Sequence, residues 1–142
     1  MMENIKDTIV FLIRTIGRKG LIMKAIIING SPRKNWNTDK ALQKAAEGLQ
    51  STEAETETVR LYDYAYKGCI SCFACKIKNS KTNGLCAYKD DLRPVLEKAH
   101  AADIILVGTP VYYNYPAGQV RSFLERLLSR SARTSGRTAS RS

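Results

Sequence analysis

The residues best able to do chemistry fall in three short runs. The first, Asn29-Gly30-Ser31-Pro32-Arg33-Lys34-Asn35-Trp36-Asn37-Thr38, follows an unbroken apolar segment at 25–28. It offers what a phosphate monoester needs: a glycine for a tight turn, hydroxyls and an amide at Ser31, Thr38 and Asn37, the Arg33 guanidinium, and the N–H groups opening a helix. The same run also fits a polar strand-to-helix loop with a helix cap. The second run, Thr109-Pro110-Val111-Tyr112-Tyr113-Asn114-Tyr115-Pro116, follows the apolar residues 104–107. Its stiff backbone and three tyrosines suit the bracing of a flat aromatic ring by stacking and backbone hydrogen bonds, or simply the covering of a sheet edge. The third holds all four cysteines, Cys69, Cys72, Cys75 and Cys86, within 18 residues. Without a secretory pattern, such close thiols suit metal ligation or redox work better than a disulfide framework. On spacing alone a cluster, zinc, and structural or redox-active thiols without metal all stay open.

These runs need a scaffold. A chain of 142 residues, 44% hydrophobic and 25% charged, is sized and composed for one globular domain. Its formal charge of +10 would suggest a nucleic-acid or membrane partner if it were spread over the body. It is not, because residues 1–22 carry four basic and two acidic side chains and residues 129–142 carry four arginines and no acid, leaving +4 between them. A modestly basic body suits an anionic cofactor or dinucleotide, and nucleic acid is not an expected partner.

Residues 25–28 and 104–107 have the pattern of parallel strands covered on both faces, adjacent at a sheet centre. Ligands of such sheets bind beyond the carboxyl ends of the strands, so the first two runs are expected to frame one site. Between 37 and 49, Ala41, Leu42, Ala45, Ala46 and Leu49 recur at helical spacing, with Asn37 or Thr38 as cap. Thr56-Glu57-Thr58-Val59-Arg60-Leu61 alternates as an edge strand does. A helix is predicted from Asp90 or Asp91 to Ala101 with Leu92, Val95, Leu96 and Ala99 inward. Another over 118–128 buries Val120, Phe123, Leu124, Leu127 and Leu128. The order predicts a doubly wound α/β fold with three parallel strands in the order 2-1-3.

Two flanks stand outside this body. Residues 1–22 read as an N-terminal extension, with a start at Met23 or a basic amphipathic helix on a membrane surface as alternatives. Its apolar stretch falls short of the ~20 residues of a bilayer span. Acidic Glu3 and Asp7 and the run Gly17-Arg18-Lys19-Gly20 do not fit a secretory leader. Residues 129–142 contain only Ser, Arg, Thr, Ala and Gly and are expected to be a disordered basic tail.

Over residues 23–128 the chain resembles the NAD(P)H-dependent FMN reductase group of flavodoxin-like proteins. The resemblance is carried by Gly30-Ser31-Pro32-Arg33, Asn37-Thr38, Gly108-Thr109-Pro110-Val111-Tyr112 and Gly118-Gln119-Val120-Arg121-Ser122-Phe123-Leu124-Glu125-Arg126. It implies FMN phosphate at Ser31, Arg33, Asn37 and Thr38, and isoalloxazine near Pro110, Val111, Tyr112, Tyr113 and Asn114. No side-chain nucleophile is implied, since the flavin carries the chemistry. The implied protein is a cytoplasmic NAD(P)H-dependent oxidoreductase of the flavin, quinone or nitro reductase type, pairing as a homodimer and passing electrons to a small molecule or redox protein. The repeated C-x2-C resembles the compact motif of iron-sulfur flavoproteins, a branch of this group in which four thiolates hold a 4Fe-4S cluster that exchanges electrons with FMN. The gap to Cys86 is longer than that branch usually shows.

The group carries two further strands after the helix ending near Leu128, so the body reads as C-terminally truncated. An inactive flavodoxin-like binding module is therefore a further alternative. A bare three-stranded sheet leaves its third strand and two helix faces uncovered, which predicts reduced stability and weak flavin retention unless another chain completes it. His100 reads as a cation complementing a helix C-terminus, and Asp90 and Asp91 as a helix start. Lys76, Lys78, Lys81 and Lys89 read as a solvated loop, with an NADPH phosphate contact as the alternative. Trp36 either covers the cofactor's edge or packs on the loop.

Overall fold

The computed structural model describes residues 8–14, 22–77, 82 and 84–129. The expected disordered tail beyond Ser129, and Lys78 and Lys81, lie outside the described residues. The elements are β1 (Thr8–Arg14), β2 (Lys24–Asn29), α1 (Asn37–Gln50), β3 (Glu55–Arg60), α2 (Leu92–Ala101), β4 (Ile104–Tyr112), β5 (Tyr115–Pro116) and α3 (Gly118–Leu127). Single 3-10 turns lie at Leu61–Asp63 and Ala74–Lys76.

The three body strands lie in the predicted order, β3-β2-β4, all parallel. Ile26, Ile28, Ile105 and Val107 face α2 and α3, packing with Leu92, Val95, Leu96, Val120 and Phe123. Ile27 and Leu106 face the other way, onto Leu42 of α1 and its half-buried Ala45, Ala46 and Leu49. Unbroken apolar runs are thus what a sheet with helices on both faces requires. Gly108 lets α1 approach, since a Cβ there would lie 2.7 Å from the Leu42 side chain.

The N-terminal flank behaves differently from expectation. Residues 8–14, read as part of an extension with a helical alternative, form β1, which pairs antiparallel with β4 from Thr8↔Pro110 to Arg14↔Ile104. Two causes act together. The segment Thr-Ile-Val-Phe-Leu-Ile-Arg is rich in β-branched residues, and the outer edge of β4 would otherwise present a row of unpaired N–H and C=O groups. The third body strand is therefore covered rather than open, and the sheet is mixed. Val10 and Leu12 remain 44% and 65% exposed, so the strand hides the backbone edge without burying its own outer face.

Smaller corrections concern element ends. Residue 36 (Trp), not Asn37 or Thr38, is the N-cap of α1, and no side chain caps it. β4 runs on to Tyr112 instead of ending at Val107, because β1 pairs with it as far as Pro110 and β5 folds back on Val111 and Tyr112. On α3, Leu128 lies beyond the helix and is 47% exposed, while Arg126 is buried in its place.

Candidate functional site

β2 ends at Asn29, in register with Gly108 of β4. Gly30 then donates its N–H to the Gly108 carbonyl at 2.8 Å, tying the start of the first loop to the strand that carries the second. At Gly30 any side chain is excluded, because a Cβ would lie 2.0 Å from Val120 Cγ2. The two runs thus follow neighbouring parallel strands at the carboxyl edge of the sheet.

The first loop is held by a small polar network. Asn29 is fully buried; its Oδ1 accepts from the Ser31 N–H at 2.9 Å and its Nδ2 donates to Asp39 Oδ1 at 2.8 Å. The other Asp39 oxygen accepts from the Asn35 N–H at 2.7 Å, and Arg60 approaches that carboxylate at 3.6 Å. Arg60 offsets a negative charge that would repel an anion at this turn. Ser31 and Thr38 are buried, Asn37 half-buried and Arg33 exposed, with the Arg33 guanidinium 4.6 Å from the centre of the Trp36 ring. Ser31 Oγ accepts from the Arg33 N–H at 3.2 Å. Thr8 of β1 also reaches this turn, its Oγ1 lying 3.2 Å from Thr38 Oγ1.

The second loop is a two-residue hairpin turn between the paired Tyr112 and Tyr115. Its central residues, Tyr113 and Asn114, have φ of 50° and 65°, the left-handed pair of a type I′ turn. An aromatic residue rarely sits there, and such strain is more common at binding sites than elsewhere. Tyr113 is 97% exposed. Pro110 and Val111 are half-buried and Tyr112, Asn114 and Tyr115 exposed, forming a ledge at the mouth. Thr109 anchors it from below, accepting the Ala117 N–H at 3.0 Å and donating to the Pro110 carbonyl at 2.9 Å. Amide and hydroxyl donors on one side and an exposed aromatic ledge on the other fit the two ends of a flavin mononucleotide.

α3 starts just beyond this ledge and carries the cysteine loop along its length. Tyr66 Oη donates to the Gln119 carbonyl at 2.8 Å, Gly68 lies against Ser122 and Glu125, and the Cys69 N–H donates to Glu125 Oε2 at 3.2 Å. Burial pushes the Tyr66 phenol upward, so it keeps its proton. Gln119 and Arg126 are roughly 10 Å apart along the helix axis. All four cysteines, with Ile70, Phe73, Ala87, Tyr88 and Arg126, line one small pocket at the far end of this contact.

Arg126 closes the pocket. Its Nε donates to Cys86 Sγ at 3.3 Å, Nη1 to the Lys67 carbonyl at 3.0 Å and Asp90 Oδ2 at 2.6 Å, and Nη2 to the Tyr88 carbonyl at 3.2 Å and Asp90 Oδ1 at 2.8 Å. Burial opposes ionisation of Asp90, but the hydrogen bonds and charge of Arg126 outweigh it and hold the carboxyl below its usual range. Asp90 thus does more than start α2; the N-cap is Asp91. A guanidinium on the apolar stripe, three residues after Phe123, was the signal that the sequence offered. It is a weak signal because arginine usually faces solvent.

The four thiols fit an iron-sulfur cluster in their donor chemistry. Cys69 Sγ accepts from the Ser71 N–H at 3.4 Å and Cys86 Sγ from Arg126, as ligating sulfurs do. Ser71 and Phe73 have φ of 54° and 55°, a second strained segment. Among the described residues no three His, Cys, Asp or Glu side chains converge on a single metal ion. The pocket walls are mostly loop. A roomier groove of about 340 Å³, lined by Lys24, Glu55, Glu57 and Lys98, lies at the opposite ends of the strands and contains none of the expected site residues.

The sequence is similar to known proteins over most of its length. Residues 23–140 match the family described as NADPH-dependent FMN reductase. The chain is 41% identical over 111 residues to an iron-sulfur flavoprotein of Archaeoglobus fulgidus, covering 78% of this chain and 51% of the relative. It is 35% identical over 104 residues to one of Methanocaldococcus jannaschii, covering 73% and 51%. An FMN-dependent NADPH-azoreductase of Staphylococcus aureus is 28% identical over 105 residues, covering 74% and 52%. The chain thus spans about half the length of the curated relatives it matches. No solved structure matches it.

Proposed function

Because the chain belongs to the NADPH-dependent FMN reductase family, we propose that it binds FMN between the two loops and serves as an NAD(P)H-dependent oxidoreductase. The acceptor is a small molecule, of the flavin, quinone or nitro class, or a redox protein. The observation that carries this reading is the Gly30–Gly108 hydrogen bond, which ties the first loop to the strand that carries the second. Ser31, Arg33, Asn37 and Thr38 hold the phosphate and Pro110, Val111, Tyr112, Tyr113 and Asn114 support the ring. When bound, the flavin supplies hydride and single-electron chemistry. The chain's own work is to pre-set the donors. Asn29 and Asp39 fix the turn before any anion arrives, which lowers the ordering cost of binding. Arg33 adds the charge-assisted contact, and the tyrosine ledge excludes water from one ring face.

A second feature is favoured by the shared pocket of Cys69, Cys72, Cys75 and Cys86, and by the name iron-sulfur flavoprotein borne by several relatives. These thiolates hold a 4Fe-4S cluster that adds one-electron capacity beside the flavin. Four free thiols suit a reducing compartment such as the cytoplasm. The exposed rings of Tyr113 and Tyr115 suit a homodimer in which a second copy closes the site.

The test is a fluorescence titration of the full chain with FMN and with riboflavin. FMN is expected to bind more tightly. Arg33→Ala is expected to weaken FMN by about tenfold, the worth of one charge-assisted hydrogen bond, with riboflavin little changed. Equal loss for both ligands contradicts the phosphate assignment. Anaerobically prepared protein that is brown and contains iron and sulfide supports the cluster; yellow protein without them supports flavin alone. Protein that stays colourless after FMN addition supports the inactive module.

A further inference from the structure

We propose that Arg126 is a positioning residue for Cys86, fixing its sulfur at the pocket and raising the reduction potential of the group that the four thiols hold. The inference rests on the cluster reading above.

Arg126 is 1% exposed, and each of its five N–H donors has an acceptor on the loop that carries Cys86 or on Asp90. The Lys67 and Tyr88 carbonyls flank the cysteines in sequence, so the guanidinium grips the loop before and after them. Its face also lies 5.5 Å from the centre of the Tyr88 ring. Cys86 needs such a tether. It stands eleven residues after Cys75, outside the compact run, so the C-x2-C repeat does not itself place it beside the other three. The Nε donor holds Cys86 at the shared pocket and brings a positive charge to its sulfur.

Hydrogen bonds and positive charge near cluster sulfurs favour the reduced, more negative state. Asp90 acts in the opposite sense, since its carboxylate sits against the same guanidinium at 2.6 Å and 2.8 Å. The two residues therefore push the potential in opposite directions, although both hold the loop. This separates an electrostatic role from a merely structural one.

The experiment compares the full chain with Arg126→Met and Asp90→Asn, each reconstituted anaerobically with iron and sulfide. The readouts are iron and sulfide content, the midpoint potential by optical redox titration, and thermal melting. Arg126→Met is expected to hold less iron and titrate at a more negative potential, and Asp90→Asn to titrate at a less negative one, while both melt earlier. Shifts of the same sign, or unchanged potentials in both, overturn the proposal. If Arg126→Met does not fold, Asp90→Asn decides: a less negative midpoint supports the proposal and any other result overturns it. A wild-type chain that takes up no iron and sulfide retires the cluster reading and this inference together. One that loads while both variants keep its potential retires this inference alone.

Discussion

Asp90 and Arg126 form an ion pair whose side chains are 12% and 1% exposed, so removing one partner strands a buried charge, at a cost of about 3–5 kcal/mol. The pair also sets a pH limit. A carboxyl held below its usual range stabilises the fold above its unfolded value near 3.9, and that contribution disappears as pH falls through the lower folded value. The cysteine loop is accordingly expected to stay clasped at neutral and mildly acidic pH and to release only below about pH 4. Tyr88 fluorescence or thiol labelling of Cys86 during acid titration measures this, and release near pH 6 contradicts it. Single residues were unevenly legible. Ser31, Arg33 and the tyrosines were visible because glycine, proline and aromatic residues mark turns. Asn29, Asp39 and Arg126 were not, because their importance comes from partners distant in sequence or hidden by packing.

At the scale of elements, apolar periodicity located α1, α2 and α3 to within a residue or two, since each lays one stripe on the sheet. Strand ends were less legible, because pairing and not composition decides where a strand stops. β4 shows this, continuing through Gly108 and Pro110 under the direction of β1 and β5. The hairpin beyond it holds Tyr113 in a conformation that asparagine adopts more readily. Tyr113→Asn is expected to raise stability by roughly 0.5–1 kcal/mol, since a ring this exposed gives up almost no burial. Chemical denaturation checks it. Weaker FMN binding by the same variant would show that the strained turn serves the ligand and not the fold.

At the scale of the molecule, the order β3-β2-β4 followed from sequence while β1 did not, for β1 depends on the edge that β4 offers as well as on its own β-branched residues. The expected uncovered third strand is thus answered from within the chain. Deleting residues 1–14 is expected to expose seven residues of β4 backbone and to convert a discrete species into one that self-associates. Size-exclusion chromatography with light scattering reads this, and a deletion variant with unchanged mass and melting temperature contradicts it.

The same pairing imposes an order of events during synthesis. Thr8 waits for Pro110, about a hundred residues downstream, before its backbone finds a partner, and closing so long a loop is slow. Until the ribosome has released β4, the Thr-Ile-Val-Phe-Leu-Ile-Arg segment is an unpaired, sticky ribbon. The nascent chain is then the stage at which a chaperone has most to do.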